Sequence, residues 1–195
     1  MKHKGINLAL DKRKDKNTTS HKFKKDLIDL FKDSKWNREG SVLEVSCHKG
    51  YTTSILSRVF NKVYAVDFKD SLLEHAKKYN KGRSNIEFFA GDVYRPQGWE
   101  GLPNADVVFI DCVHDYKSVM SDIENALKHF KKDGGLLIFD DYGLPGVGVN
   151  PAVKESVKSN KNLSVFRHIG EPKGSDCRPG VLLKDWEGII LRYKS

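Results

Sequence analysis

The sequence predicts an α/β fold, with seven strands in a doubly wound, mostly parallel sheet and helices on both faces. Three observations carry that prediction. From Ser41 onward, short apolar runs alternate with helix-period segments, the order that builds parallel βαβ units. The run at 106–110 is apolar after its first residue, as a central strand covered on both faces requires. Acidic residues stand at the ends of five runs: Glu44, Asp67, Asp92, Asp111 and the pair Asp140-Asp141.

Each element has a local reason. Residues 20–33 predict a helix that Ser20 caps, with Phe23, Leu27, Ile28 and Phe31 on one face. Ser41–Val45 is the first strand. The helix over about 52–60 turns Ile55, Leu56, Val59 and Phe60 inward, and Lys62–Val66 is the second strand. A helix from Ser71 buries Leu72, Leu73, Ala76 and Tyr79, and Ile86–Ala90 is the third strand. The Pro/Gly-rich stretch 95–104 is a loop, and its Trp99 reads as a packing residue. After the fourth strand, the helix over about 116–130 has the clearest apolar stripe: Val119, Met120, Ile123, Ala126, Leu127 and Phe130. Asp133-Gly134-Gly135 turns the chain into the fifth strand, Leu136–Phe139. A loop at 143–151 leads to a helix over Ala152–Ser159. Strands at Leu163–His168 and Gly188–Arg192 flank a Gly/Pro-rich stretch, with the last strand antiparallel at or near the edge.

The chain of 195 residues is long enough for one substantial core, and 38% hydrophobic against 31% charged residues reads as soluble and globular. No run approaches the roughly 18 apolar residues of a membrane span. The N-terminus lacks a signal-peptide core. Cys47, Cys112 and Cys177 show no CxxC pairing, so reduced thiols in a cytoplasmic compartment are expected. The net charge of +8 is unevenly placed: residues 1–25 hold nine Lys/Arg and two Asp, leaving the rest near balance. The division is a basic arm, 1–19, and a domain, 20–195. Such an arm suits phosphates or acidic partners, or is a solvated tail.

In open parallel sheets, ligands sit outside the C-terminal strand ends. The unit 41–67 is a strand, a Gly-containing turn, a helix and a strand tipped by Asp67. Such a unit sets a nucleoside over the turn, with the carboxylate on its ribose hydroxyls. With Glu44-Val-Ser46-Cys-His-Lys-Gly50-Tyr-Thr52, Asp67, Gly91-Asp92-Val93 and Lys132-Asp133-Gly134-Gly135, the chain resembles a class I S-adenosylmethionine-dependent methyltransferase from about Ser20 on. The resemblance implies a Rossmann-like sheet and S-adenosylmethionine as cofactor. It assigns cofactor binding to Glu44, Ser46, Gly50, Thr52, Asp67, Phe68, Asp92, Val93 and Asp111. The first turn would meet the methionine part, Asp67 the ribose and Asp92 the adenine. One departure is Ser46, where the family usually has Gly.

Asp111, His114, Asp140 and Asp141 are similar to the small metal-dependent O-methyltransferases of catechol and macrocin/mycinamicin sugar types. That likeness implies Mg²⁺, or Mn²⁺ or Ca²⁺, on Asp111, Asp140 and Asp141, with His114 as base beside Asp111. Converging carboxylates repel one another unless protonated or neutralised, and oxygen ligands suit these cations. The plainer readings are that His114 packs or caps the following helix and that Asp140-Asp141 is a turn. The expected acceptor is a small hydroxylated molecule. A second reading is a nucleic-acid (RNA) methyltransferase using residues 1–25, against which stands the lack of an Asn/Asp-Pro-Pro-Tyr/Phe motif. A third is a degenerate, non-catalytic methyltransferase fold.

Overall fold

The computed structural model describes residues 19–131, 134–178 and 180–195. Most of the basic arm, and Lys132 and Asp133 of the predicted turn, lie outside them. The described elements are α1 (His21–Phe31), α2 (Lys35–Glu39), β1 (Ser41–Val45), α3 (Tyr51–Val59), β2 (Lys62–Asp67), α4 (Asp70–Tyr79) and β3 (Ile86–Ala90). There follow β4 (Val107–Ile110), α5 (Tyr116–Lys128), β5 (Gly135–Phe139), α6 (Val149–Ser159), β6 (Leu163–Ile169), β7 (Asp176–Arg178), β8 (Val181–Leu182) and β9 (Gly188–Tyr193). The main sheet has seven strands in the order β3-β2-β1-β4-β5-β9-β6. β1 to β5 pair in parallel, and β9 is antiparallel to β5 and β6. The last strand therefore lies one place in from the edge. Strand order reverses between β1 and β4, where such sheets open a crevice for ligands.

Strand alternation sorts the core into two layers. Val42, Val63, Val107, Phe109 and Ile138 face Phe23, Leu27, Phe31, Leu56 and Val59 of α1 and α3. Leu43, Val45, Val108, Ile110, Leu137 and Phe139 face Val119, Ile123, Ala126, Ala152 and Val153 of α5 and α6. Both faces are covered, so β4 and β5 read as apolar runs. Phe23 meets Phe109 edge-on at 5.9 Å, and burying one such ring contributes about 1.5–3 kcal/mol.

Ser20 caps α1, its hydroxyl accepting from Phe23 N at 3.0 Å. The same residue ties the helix to the entry of β9: Ser20 N donates to Glu187 Oε1 at 2.7 Å, and its hydroxyl to Oε2. The predicted helix over 20–33 ends at Phe31, where the Ser34 hydroxyl donates to the Phe31 carbonyl. α2 and the β7–β8 hairpin are additions to the expected elements. Both are too short to show a period.

Candidate active site

The strand ladder runs on past the strand ends: Asp111 N donates to Val45 O, and Asp140 N to Ile110 O. The predicted carboxylates thus gather at the C-terminal edge, beside a cavity of about 410 Å³. Of the nine expected cofactor residues, Ser46, Asp67, Phe68, Asp92 and Val93 line it. Glu44, Gly50, Thr52 and Asp111 do not. The lining also includes Val66, Gly91, Tyr94, Cys112 and Val113, which were outside the expected set.

Asp67 is almost fully buried and rigidly held. Its Oδ2 accepts from His48 N at 2.8 Å and its Oδ1 from Lys69 N at 3.0 Å. Each carboxylate oxygen accepts two hydrogen bonds, so both keep capacity for a diol. Asp92 Oδ1 accepts from Tyr94 N at 3.1 Å, and Arg95 Nε lies 3.3 Å from its Oδ2. Phe68 is 60% exposed at the rim, with Lys69 Nζ 5.3 Å from its ring centre.

The turn after β1 is built from left-handed residues: Ser46 at φ 69°, His48 at φ 49° and Gly50 at φ 75°. Ser46 therefore adopts the conformation that glycine takes without strain, at a cost of about 1 kcal/mol. Gly50 has a different reason from close approach to a ligand. A Cβ there would lie 2.7 Å from Asn80 Nδ2 and 2.8 Å from Ala76 Cβ, so the residue lets α3 start against α4. Thr52 is buried, with its hydroxyl 3.4 Å from that of Thr19.

Glu44 lies below the cleft, 1% exposed, and its Oε2 has no hydrogen-bond partner. Burial, with repulsion from Asp111 and Asp67, pushes its pKa up to about 8. A cation brought near would reverse that shift.

On the β4–β5 side, ligand atoms of Asp111, His114 and Asp141 lie within 4.8 Å of one another. His114 Nδ1 is 3.2 Å from Asp141 Oδ2, and Nε2 is 3.5 Å from Asp111 Oδ1. His114 O accepts from Gly148 N at 2.6 Å, which fixes the loop against the start of α6. His114 does not cap α5. Asp115 does, its Oδ1 accepting from Lys117 N and Ser118 N. Asp141 holds a left-handed φ of 57° and is buried. Asp140, expected in the same ligand set, stands outside this group. It is 4% exposed, with Oδ1 unpartnered. Burial, then Asp111 and Asp141, holds its pKa well above the usual carboxylate range. The observed group is thus two carboxylates and an imidazole, with a further carboxyl behind.

Trp99 is buried in the core, as a packing residue should be. Cys112 Sγ lies 3.4 Å from Val45 O, and burial pushes its thiol pKa up. Cys47, Cys112 and Cys177 are not joined in disulfides. No helix among the described residues is long and apolar enough to cross a membrane.

Comparison with known proteins matches residues 43–142 to the family model described as "Methyltransferase domain". Malonyl-[acyl-carrier protein] O-methyltransferase of Bacillus anthracis is 26% identical over 132 residues, 67% of this chain and 48% of that protein. The chain spans about half the length of the curated relatives it matches. Among solved structures, the N-methyltransferase NodS from Bradyrhizobium japonicum WM9 superposes with a TM-score of 0.65. It is 17% identical, over 88% of this chain and 94% of that one. An O-methyltransferase from Bacillus cereus in complex with SAH gives a TM-score of 0.60. It is 18% identical, over 89% and 80% of the two chains. These structures share the fold.

Proposed function

This chain belongs to the methyltransferase-domain family, and from that premise we propose that it transfers a methyl group from S-adenosylmethionine to a hydroxyl oxygen of a small acceptor. The observation that carries the reading is one of placement. A cavity with a buried, amide-held acid at its floor adjoins a cluster of two carboxylates and an imidazole. Asp67 would accept the two ribose hydroxyls, and Asp92 and Val93 would meet the adenine. Glu44, buried below the cleft, would favour the methionine ammonium through its charge rather than by contact.

The reaction is an in-line displacement. The acceptor oxygen forms a bond to the sulfonium methyl, the C–S bond breaks, and its electron pair stays on sulfur to give S-adenosylhomocysteine. The acceptor's proton goes to His114 Nε2, while Asp141 orients the ring through Nδ1 and Asp111, 3.5 Å from Nε2, favours the imidazolium that forms. Holding acceptor and methyl in line supplies much of the rate. The oxygen-rich donor set fits a divalent cation such as Mg²⁺, which Asp111 and Asp141 would hold. Bound there, it would lower the hydroxyl pKa.

Two further observations support this reading over its rivals. Ser46 keeps the left-handed turn that Gly would give, so the departure from the family pattern leaves the turn intact. The carboxylates of Asp67, Asp92, Asp111 and Asp141 at the strand ends disfavour a polyanionic acceptor such as RNA. The test follows S-adenosylhomocysteine release with a panel of sugars and phenols, and with RNA, in Mg²⁺ and in EDTA. Release is expected with a hydroxylated small molecule and should be lost in EDTA and in His114→Ala. Release supported by RNA alone would overturn the acceptor assignment.

A further inference from the structure

Two walls of the cofactor cavity come from strands that never touch. Gly91–Tyr94 follows β3, whereas Cys112 and Val113 follow β4, and β2 and β1 lie between those strands. At sheet spacing that separates the strand ends by about 14 Å, and no direct ladder joins the two loops that rise from them. One side chain crosses it. The Tyr94 hydroxyl donates to Asp122 Oδ2 at 2.8 Å and accepts from Val113 N at 3.1 Å.

Packing alone does not hold Tyr94 in place. It lines the cofactor cavity on one side and a second cavity of about 640 Å³ on the other, bounded by Trp99, Ser121, Asn125 and Lys128. Its anchor is also unusual. Asp122 is fully buried on the apolar face of α5, beside Val119, Ile123 and Ala126, and its Oδ1 has no partner. Burial pushes its pKa up to about 7. A carboxyl is costly in such a place, and packing would favour an apolar residue there.

We infer that Tyr94 and Asp122 form a clamp that fixes the width of the adenosine end of the cleft. The inference rests on the cofactor reading above. Tyr94 is the wall, and Asp122 is a positioning residue that acts through it. The chemistry served is nucleoside binding: a purine ring needs two faces at a fixed separation, and the hydroxyl bridge sets it.

The test is calorimetric titration of S-adenosylhomocysteine, and separately of adenosine, into the full chain. The variants are Tyr94→Phe, Asp122→Asn and Asp122→Leu, with melting temperatures measured alongside. Tyr94→Phe keeps the ring and loses both hydrogen bonds, so affinity for both ligands should fall by the same factor, about tenfold. Asp122→Leu loses only the bond to the carboxyl, so affinity should fall by a smaller factor, about fivefold. Asp122→Asn retains an acceptor oxygen and should stay within about threefold of the parent. A lower melting temperature with unchanged affinity in Tyr94→Phe would make the pair structural and overturn the clamp. Should Tyr94→Phe fail to fold, the Asn and Leu variants of Asp122 decide: equal affinities contradict the clamp. Failure of the parent itself to bind would remove the cofactor reading, and the clamp with it.

Discussion

On the β2–β3 side of the cleft, backbone amides tie each carboxylate down: Asp67 accepts from His48 and Lys69, and Asp92 from Tyr94. On the β4–β5 side, Asp111 and Asp141 converge on His114 instead, and Asp140 keeps an unpartnered oxygen behind them. The first arrangement is ready for neutral hydroxyls without further charge. The second gathers negative charge and is completed by a proton or a cation. On the function proposed above, the difference separates two tasks, holding a nucleoside and activating an acceptor, and mutations on either side should separate them too.

The largest effect is expected at Asp67. Asp67→Ala removes the proposed ribose acceptor and the anchor of two loop amides. Affinity for S-adenosylhomocysteine should fall by at least about 100-fold, read by calorimetry. Asp141→Ala is the counterpart. It should leave that affinity within about threefold while lowering Mg²⁺-stimulated turnover by about 10- to 100-fold. Equal losses in both assays for both variants would erase the distinction between the two sides.

Glu44 sharpens the comparison by pH. Its folded pKa, about 8, lies above the ordinary carboxyl value of 4.5. The folded protein therefore holds a proton that the unfolded chain releases, and stability falls as pH rises from about 5 through 8. Glu44→Gln should raise the melting temperature at pH 8 by several degrees and leave it nearly unchanged at pH 5. A shift of the same size at both pH values would place the Glu44 carboxyl outside this titration.

The smallest effect belongs to Ser46→Gly. The left-handed strain it relieves is offset by the entropy that glycine adds to the unfolded chain. The melting temperature should move by less than about 2 °C, with cofactor affinity within about twofold.

The same contrast explains what the sequence disclosed. Asp67 and Asp92 were legible because an acid at the end of an apolar run is a local pattern, and the parallel sheet places such ends together. Gly50 was legible as a glycine but not for its reason, since the contact with Asn80 and Ala76 joins α3 to α4 across 30 residues. Tyr94 gave no signal, because its partners Val113 and Asp122 sit 19 and 28 residues away. Sequence also left open whether His114 caps α5. The two amides bound by Asp115 supply that answer, and they depend on where the helix begins. Between the adjacent residues Asp140 and Asp141, only geometry selects the one that meets His114. The left-handed φ of Asp141 turns the chain there.

The most direct measurement is a calorimetric titration of S-adenosylmethionine into the full chain and into Asp67→Ala, in Mg²⁺ and in EDTA. The account predicts micromolar binding to the parent in both buffers and none to Asp67→Ala. No binding to the parent, or unchanged binding to Asp67→Ala, would contradict it.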